Sequence, residues 1–187
     1  MPKAYKLFRV SKKHKGKLFP LFVDSSNDVP LNTWLEAKEG EKNENGKVKS
    51  KLGPLAFRPG WHLSDIPLAI HIGVKGDSGE IEYMNSQYVW CECEYDDTVD
   101  YQQIANERGT KNGKIVHKNA FIDYVPKNGF YRYKTSPKML GTWIIAGNIK
   151  ILRVLDDAEI AQILKEKGYE PMPREGGPID LKYYKLR

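Results

Sequence analysis

The segment RPGWHLSD (residues 58–65) places a guanidinium, an indole, an imidazole and a hydroxyl close together in the chain. A Pro-Gly turn precedes Trp61 and His62, and the apolar run IPLAIHIG follows the segment. An arginine such as Arg58 can hold a phosphate through two hydrogen bonds, and a histidine can exchange a proton near neutral pH. The segment therefore predicts a binding or catalytic corner. The alternative is an ordinary turn whose histidine hydrogen-bonds a nearby backbone carbonyl.

Two carboxylates share one side of the segment QYVWCECEY (residues 87–95), which alternates as a strand does. Glu92 and Glu94 lie on the side of Trp90, and the two cysteines of the chain lie on the other side. Paired carboxylates can serve as general acid and base, and both residues are therefore catalytic candidates. The alternative is a solvated strand face. The two cysteines lack the further ligands of a zinc site, and no metal site is expected.

Aromatic and cationic side chains alternate in the segment FYRYK (residues 130–134). On a strand, Tyr131 and Tyr133 share one face, while Arg132 and Lys134 share the other. That pattern suits a surface that stacks on a base and contacts phosphates, so Tyr131 and Arg132 are candidate ligand-binding residues. The commoner alternative is a strand with one buried face and one wet face.

Composition limits the class of protein. A chain of 187 residues with 40% hydrophobic residues can bury one core. The net charge is +6, and the basic excess is spread out apart from local clusters at residues 11–17 and 47–51. Such a charge permits a weak, salt-dependent contact with nucleic acid but does not require one. No run of about 20 apolar residues and no signal peptide is evident, so we expect a cytoplasmic protein without a membrane segment.

Hydrophobic periodicity predicts several strands and a few short helices. Strands are expected at residues 4–10, 17–23, 87–95, 129–135 and 142–155, the last broken by AGN into a bend or hairpin. Short helices are expected after Asp65, which can cap the run IPLAIHIG, and within residues 98–109. The clearest helix follows Asp156, with Glu159 completing a capping box and Gly168 ending it. Its buried stripe comprises Ile160, Ile163 and Leu164.

This mixture predicts one α+β domain over residues 1–168. Residues 169–187 are rich in proline and glycine. We expect this C-terminal tail to wrap the surface or to dock on a neighbour.

The order of the motifs resembles the front half of ADP-ribosyltransferase-like domains. The strand LFRV carries an arginine, and the turn GWHLSD, a short apolar helix and the strand YVWCECEY follow. The resemblance implies a mixed or antiparallel split sheet with a few short helices, and NAD or ADP-ribose as the ligand. It also implies that Arg9 holds a ribose or phosphate and that His62 and Ser64 line the same cleft.

Nearly the whole chain resembles an uncharacterised domain of phages, prophages and large polyvalent proteins of mobile elements. The stretches that carry this resemblance are KSKLGPLAFRPGWHLSDIPLAIHIG, ANERG, GFYRYKT and GTWIIAGNIKILRVL. The resemblance implies an association with phages or mobile elements and implies no particular activity.

Thr142 stands where the transferase family has a glutamate or glutamine leading into a late strand. A threonine cannot supply the negative charge that a developing oxocarbenium ion needs. We therefore expect a degenerate, poorly active transferase-like protein with a nucleotide- or phosphate-binding cleft. Its expected lining residues are Arg9, Arg58, Trp61, His62, Ser64, Tyr131 and Arg132. The alternatives are an accessory module that binds nucleic acid or protein through its basic loops, and a structural domain without a small-molecule ligand.

Overall fold

The computed structural model of the protein describes residues 1–50, 59–108, 110–111, 114–115, 124–134 and 137–184. The fold is α+β, as the sequence predicts, with a mostly antiparallel main sheet and two helices among these residues. The helices are α1 (Gln102–Arg108) and α2 (Asp157–Glu166). The strands are β1 (Lys3–Val10), β2 (Leu18–Phe19), β3 (Trp34–Glu36), β4 (Trp61–Ser64), β5 (Val74–Lys75), β6 (Ile81–Tyr83), β7 (Tyr88–Tyr95), β8 (Val99–Asp100), β9 (Thr110–Lys111), β10 (Lys114–Ile115), β11 (Gly129–Tyr133), β12 (Trp143–Ala146) and β13 (Asn148–Val154).

The main sheet closes on itself through a single segment of chain, residues 143–154. Its strand order is β3-β13-β7-β1-β4-β12-β11-β8, and only Gly147 separates β12 from β13. Residues that pair on neighbouring strands therefore form a row across the sheet. Both ends of this row lie within residues 143–154. The row consists of Trp143, Ser64, Tyr5, Glu92 and Arg153. Since a flat sheet would hold these two strands four spacings apart, the sheet must curve strongly and has an inner and an outer face.

The inner face holds the largest core cluster. Successive side chains of β1 point to opposite faces of the sheet, and Ala4, Phe8 and Val10 point inward. The side chains of the other strands alternate in the same way. The remaining strand members of this cluster are Leu18, Leu63, Val89, Cys91, Cys93, Tyr95, Phe130, Ile144, Ala146, Ile149, Ile151 and Val154. Burial raises the pKa of both cysteine thiols, that of Cys93 to about 12. Both cysteines are therefore neutral core residues.

Helix α2 covers part of the outer face, and its prediction from the sequence is confirmed. The Asp156 side chain accepts a hydrogen bond from the Glu159 backbone, and the Glu159 side chain accepts one from the Asp156 backbone. Ile160 and Leu164 are buried in a cluster with strand residues of β1 and β7, and Ile163 packs at its edge. The residue Gly168, with φ of 81°, follows the helix.

Two predicted elements differ in the structure. Residues 65–72 form turns and bends instead of a helix, because the Asp65 carboxylate accepts the backbone N–H of Thr142 at 2.8 Å and does not cap a helix. The strand predicted at residues 17–23 is confined to Leu18–Phe19, since Pro20 has no N–H to continue the ladder. Residues 142–155 bend at Gly147 as expected, but the two strands on either side of it do not pair with each other.

The tail packs on the rest of the same chain. Leu181 and Tyr184 are buried in the cluster on the inner face. Further along, the Arg174 side chain is 3% exposed and pairs with the Asp157 carboxylate at 3.0 Å. It also donates to three main-chain carbonyls of the segment that leads into β7, those of Asn85, Ser86 and Tyr88. Neither described helix has the length and apolar character of a membrane-spanning segment.

Candidate functional site

The outer face of β4, β1 and β7 brings together several of the predicted residues. Ser64 pairs with Tyr5, and Tyr5 pairs with Glu92, so these three side chains lie side by side. His62 and Glu94 are each two residues from a member of this row and therefore project from the same face. Among the residues predicted from the sequence, His62, Ser64, Glu92 and Glu94 thus share one face of the sheet, but Ser64 is 1% exposed and is closed to a ligand.

Four aromatic side chains meet at the edge of this surface, and we call His62, His71, Tyr133 and Trp143 the ring cluster. The His62 ring centre lies 6.4 Å from that of Tyr133 and 6.4 Å from that of Trp143, and both pairs are edge-to-face. His71 meets the Trp143 ring edge-on at 5.6 Å. Three rings come from the adjacent strands β4, β12 and β11, and His71 comes from the turn that replaces the predicted helix.

Contacts with neighbouring groups fix the tautomer of His62 and lower the pKa of His71. The His62 Nδ1 atom lies 3.2 Å from the Gly60 carbonyl oxygen, so this contact requires the proton on Nδ1. This is the backbone contact of an ordinary turn histidine, although the ring also faces Tyr133 and Trp143. His71 is exposed on one side, and partial burial against its neighbours lowers its pKa. A lowered pKa keeps His71 neutral, and so aromatic without charge, at neutral pH.

A lysine lies on the same outer face, next to Tyr5 and Asp65. The Lys167 ammonium donates to the Asp65 carbonyl at 3.1 Å and lies 5.8 Å from the centre of the Tyr5 ring. The Asp65 carboxylate in turn holds the backbone of Thr142, which precedes Trp143. Burial raises the pKa of Tyr5, with a smaller contribution from the Glu92 carboxylate, so its hydroxyl stays protonated. The surface therefore offers a cation, the neutral Tyr5 hydroxyl and aromatic rings.

The carboxylates Glu92 and Glu94 are engaged by cations. Glu92 pairs with Lys3 at 3.4 Å and with Arg153 at 3.8 Å. Glu94 pairs with Lys150 at 3.3 Å. Arg153 also binds Glu159, which links the network to the start of α2. This arrangement is typical of a charge network that joins strands and a helix, and it leaves the two carboxylates poorly placed to exchange protons with a ligand.

Trp61 and Arg132 lie on the other side of their strands. The Trp61 indole donates to the Leu35 carbonyl at 2.8 Å and packs against the cluster on the inner face. The Arg132 guanidinium lies 5.4 Å from the centre of the Phe130 ring, and Phe130 belongs to the same cluster. Strand alternation thus separates Trp61 from His62, and Arg132 from Tyr133.

Three further candidates are not exposed members of the ring cluster. Tyr131 is buried beneath the cluster at 1% exposure, with its ring centre 6.3 Å from that of Tyr133, and it packs with Tyr101 and Ile145. Arg9 lies toward the far end of β1, where it donates to the Ser25 carbonyl at 3.0 Å and stacks over the Phe19 ring. Arg58 lies outside the residues that the structure describes.

Sequence reasoning missed Trp143 and His71 as members of the site. The expected alternation of residues 142–155 could have placed Trp143 on the face opposite Ile144, but no local signal joins it to His62. The assignment of residues 65–72 to a helix hid His71, because a turn and a helix present that residue differently. No protein-family model, no curated protein and no solved structure matches the chain.

Proposed function

We propose that the protein is a non-catalytic binding module whose ligand carries a nucleobase, and that the base binds at the ring cluster. The observation that carries this proposal is the convergence of four aromatic rings at the surface around His62. Aromatic side chains bind bases by stacking, and neutral imidazoles can add hydrogen bonds to a base edge.

A cation on the same outer face suits the phosphate of a nucleotide. Lys167 donates to the Asp65 carbonyl, and the Asp65 carboxylate holds the backbone of Thr142, which precedes Trp143 of the ring cluster. A lysine binds phosphate as a point charge, so the Lys167 side chain needs no fixed geometry before the ligand arrives.

Binding without chemistry is favoured by the state of the acidic residues. Glu92 and Glu94 are held in ion pairs, and Thr142 contributes its backbone N–H to Asp65. A transferase-like centre needs a carboxylate aimed at the reacting sugar. Our proposal therefore describes a degenerate relative of the ADP-ribosyltransferase-like domains. Its association with phages or mobile elements is proposed on the sequence resemblance alone.

Calorimetric titration with AMP, ADP-ribose and NAD tests the proposal. We expect binding by the unaltered protein and a loss of about tenfold in Trp143→Leu, because one stacked base contributes about 1–3 kcal/mol. Trp34→Leu is the matched control, since Trp34 is also partly exposed but lies on β3. Equal affinities in Trp143→Leu and the unaltered protein would contradict the site.

A second experiment addresses the absence of catalysis. The protein is incubated with labelled NAD and a cell extract, and label transfer to protein or nucleic acid is followed. We expect no transfer above the level of extract alone. Robust transfer that disappears in Glu92→Gln or Glu94→Gln would show that the proposed lack of catalysis is wrong.

A further inference from the structure

A basic turn joins β1 to β2. Residues 11–17, with the sequence SKKHKGK, contain four lysines and one histidine and no acidic residue. Lys12, Lys13, Lys15 and Lys17 are all exposed. None of the four forms an ion pair with a carboxylate of the described residues. The like charges of this turn are therefore left without local compensation.

The C-terminal tail adds an aromatic ring and a fifth lysine to the same place. Leu181 and Tyr184 are buried, and the Tyr184 N–H donates to the Leu181 carbonyl at 2.8 Å. This tight turn anchors both of its ends in the core and turns Lys182 and Tyr183 outward. Tyr183 is 49% exposed although it lies between two anchored residues.

The basic turn and the tail are in contact. A side chain at Gly16 would come within 3.4 Å of the Tyr183 carbonyl oxygen, so the backbones approach closely where φ of Gly16 is +84°. The Lys15 ammonium lies 5.3 Å from the centre of the Tyr183 ring, and the Lys182 ammonium lies 4.9 Å from it. We call the four turn lysines together with Lys182 and Tyr183 the basic surface.

We propose that the basic surface binds single-stranded nucleic acid, with its lysines on the phosphates and Tyr183 stacked on a base. This inference goes beyond the proposed function, because the basic surface and the ring cluster share no residue. A flexible single strand can place a base on an exposed ring while its backbone runs along neighbouring cations. A bare cluster of lysines would serve any polyanion, and Tyr183 is the feature that favours nucleic acid over an acidic protein or a membrane.

Fluorescence anisotropy with labelled oligothymidylate over a salt series tests the proposal. Each phosphate contact to a single strand contributes about −0.7 to the slope of log K against log salt, so five lysines predict about −3.5. Replacing Lys12, Lys13 and Lys15 by Gln should reduce the slope to about −1.4. The matched control replaces Lys75, Lys138 and Lys165 by Gln, which changes the net charge equally at exposed positions elsewhere.

Tyr183 variants separate stacking from charge. We expect Tyr183→Leu to weaken binding about tenfold without changing the salt slope, and Tyr183→Phe to retain affinity. Trp34→Leu changes a partly exposed tryptophan of β3 outside both proposed sites and should leave oligothymidylate binding unchanged. Because the lysine and Tyr183 variants alter no residue of the ring cluster, the two proposed sites can fail independently.

Four results would overturn the proposal, and three of them come from the oligothymidylate assay: absence of binding at low salt, equal losses in both lysine triples, or no effect of Tyr183→Leu. Vesicles of phosphatidylserine and phosphatidylcholine provide the competing polyanion. Binding to vesicles that matches binding to oligothymidylate would also overturn it, because it would identify a general attraction to anions.

Discussion

The Lys6 ammonium lies 3.1 Å from the carbonyl oxygen of His62, on the inner side of the closed sheet. Lys6 occupies an inward position of β1 between Ala4 and Phe8, where every other described inward residue of the strand is apolar. Its ammonium lies 5.4 Å from the Phe8 ring centre and 5.5 Å from that of Trp61. One carbonyl and two aromatic faces thus compensate a cation that would otherwise be costly to bury.

We predict that Lys6→Met changes the pH dependence of stability. Burial lowers the pKa of Lys6 from 10.5 to about 8, so the unfolded chain binds more protons than the folded protein between these values. Stability contributed through Lys6 therefore rises with pH across this window. The free energy of unfolding of the variant, relative to the unaltered protein, should fall by about 2 kcal/mol between about pH 7 and pH 9.5.

Urea unfolding at each pH measures this difference. Lys75→Met is the control, because Lys75 is exposed on β5 and its variant should show a constant difference. The thiols of Cys91 and Cys93 are present in all three proteins. The effect of their titration on the free energy of unfolding therefore largely cancels when a variant is compared with the unaltered protein. A Lys6→Met difference that does not depend on pH would contradict a buried ammonium.

We predict that Arg174→Gln destabilises the protein by about 3 kcal/mol, since it leaves the Asp157 carboxylate and several carbonyls without their donor. Arg153→Gln is the matched control, because Arg153 also pairs with acids but its side chain is 42% exposed. The control should lose about 0.5 kcal/mol. Equal losses in chemical denaturation would show that burial of Arg174 does not matter.

We predict that the residues of the buried stripe of α2 contribute unequally to the free energy of unfolding. Leu164 is fully buried, and Leu164→Ala should lower the free energy of unfolding by about 2–5 kcal/mol. Ile163 lies at the edge of the cluster, so Ile163→Ala should cost about 1 kcal/mol. Lys165→Ala serves as the exposed control. A larger loss at Ile163 than at Leu164 would show that the helix is rotated from the position described.

We predict that His71 titrates below its ordinary pKa of about 6.5, because burial against the ring cluster disfavours the imidazolium. The unfolded chain then binds more protons near that pH, so this contribution to stability is lost as pH falls. Proton NMR of the imidazole follows the titration directly. In Trp143→Ala the midpoint should move up toward 6.5, whereas Trp34→Ala should leave it unchanged. A midpoint at or above 6.5 in the unaltered protein would contradict the packing of His71.

Local signals were sufficient for the elements with strong periodicity. The alternation of residues 87–95 predicted β7 and the side on which Glu92 and Glu94 lie. The capping pair Asp156 and Glu159 predicted the start of α2. In both cases the information lies within a few residues, so no long-range contact was needed.

The turn after Asp65 and the ring cluster depend on contacts between residues that are far apart in the sequence. Asp65 precedes an apolar run, as a helix cap does, but its partner is the backbone of Thr142, which no local pattern indicates. In the same way, the ring cluster joins His62 to Tyr133 and Trp143 through strand pairing. The proposed ligand residues on one short segment, such as Trp61 and His62, were separated because neighbours on a strand face opposite sides.

Closure of the sheet through residues 143–154 has a consequence for synthesis of the chain. β1 precedes Arg153 by more than 140 residues in the chain, and the row that crosses Tyr5 is complete only when Arg153 has been made. At ordinary translation rates that delay is on the order of ten seconds. Through this interval Ala4, Phe8 and Val10 of β1 lack the closed sheet that buries them, so the nascent chain exposes these apolar side chains to chaperones until residues 143–154 emerge.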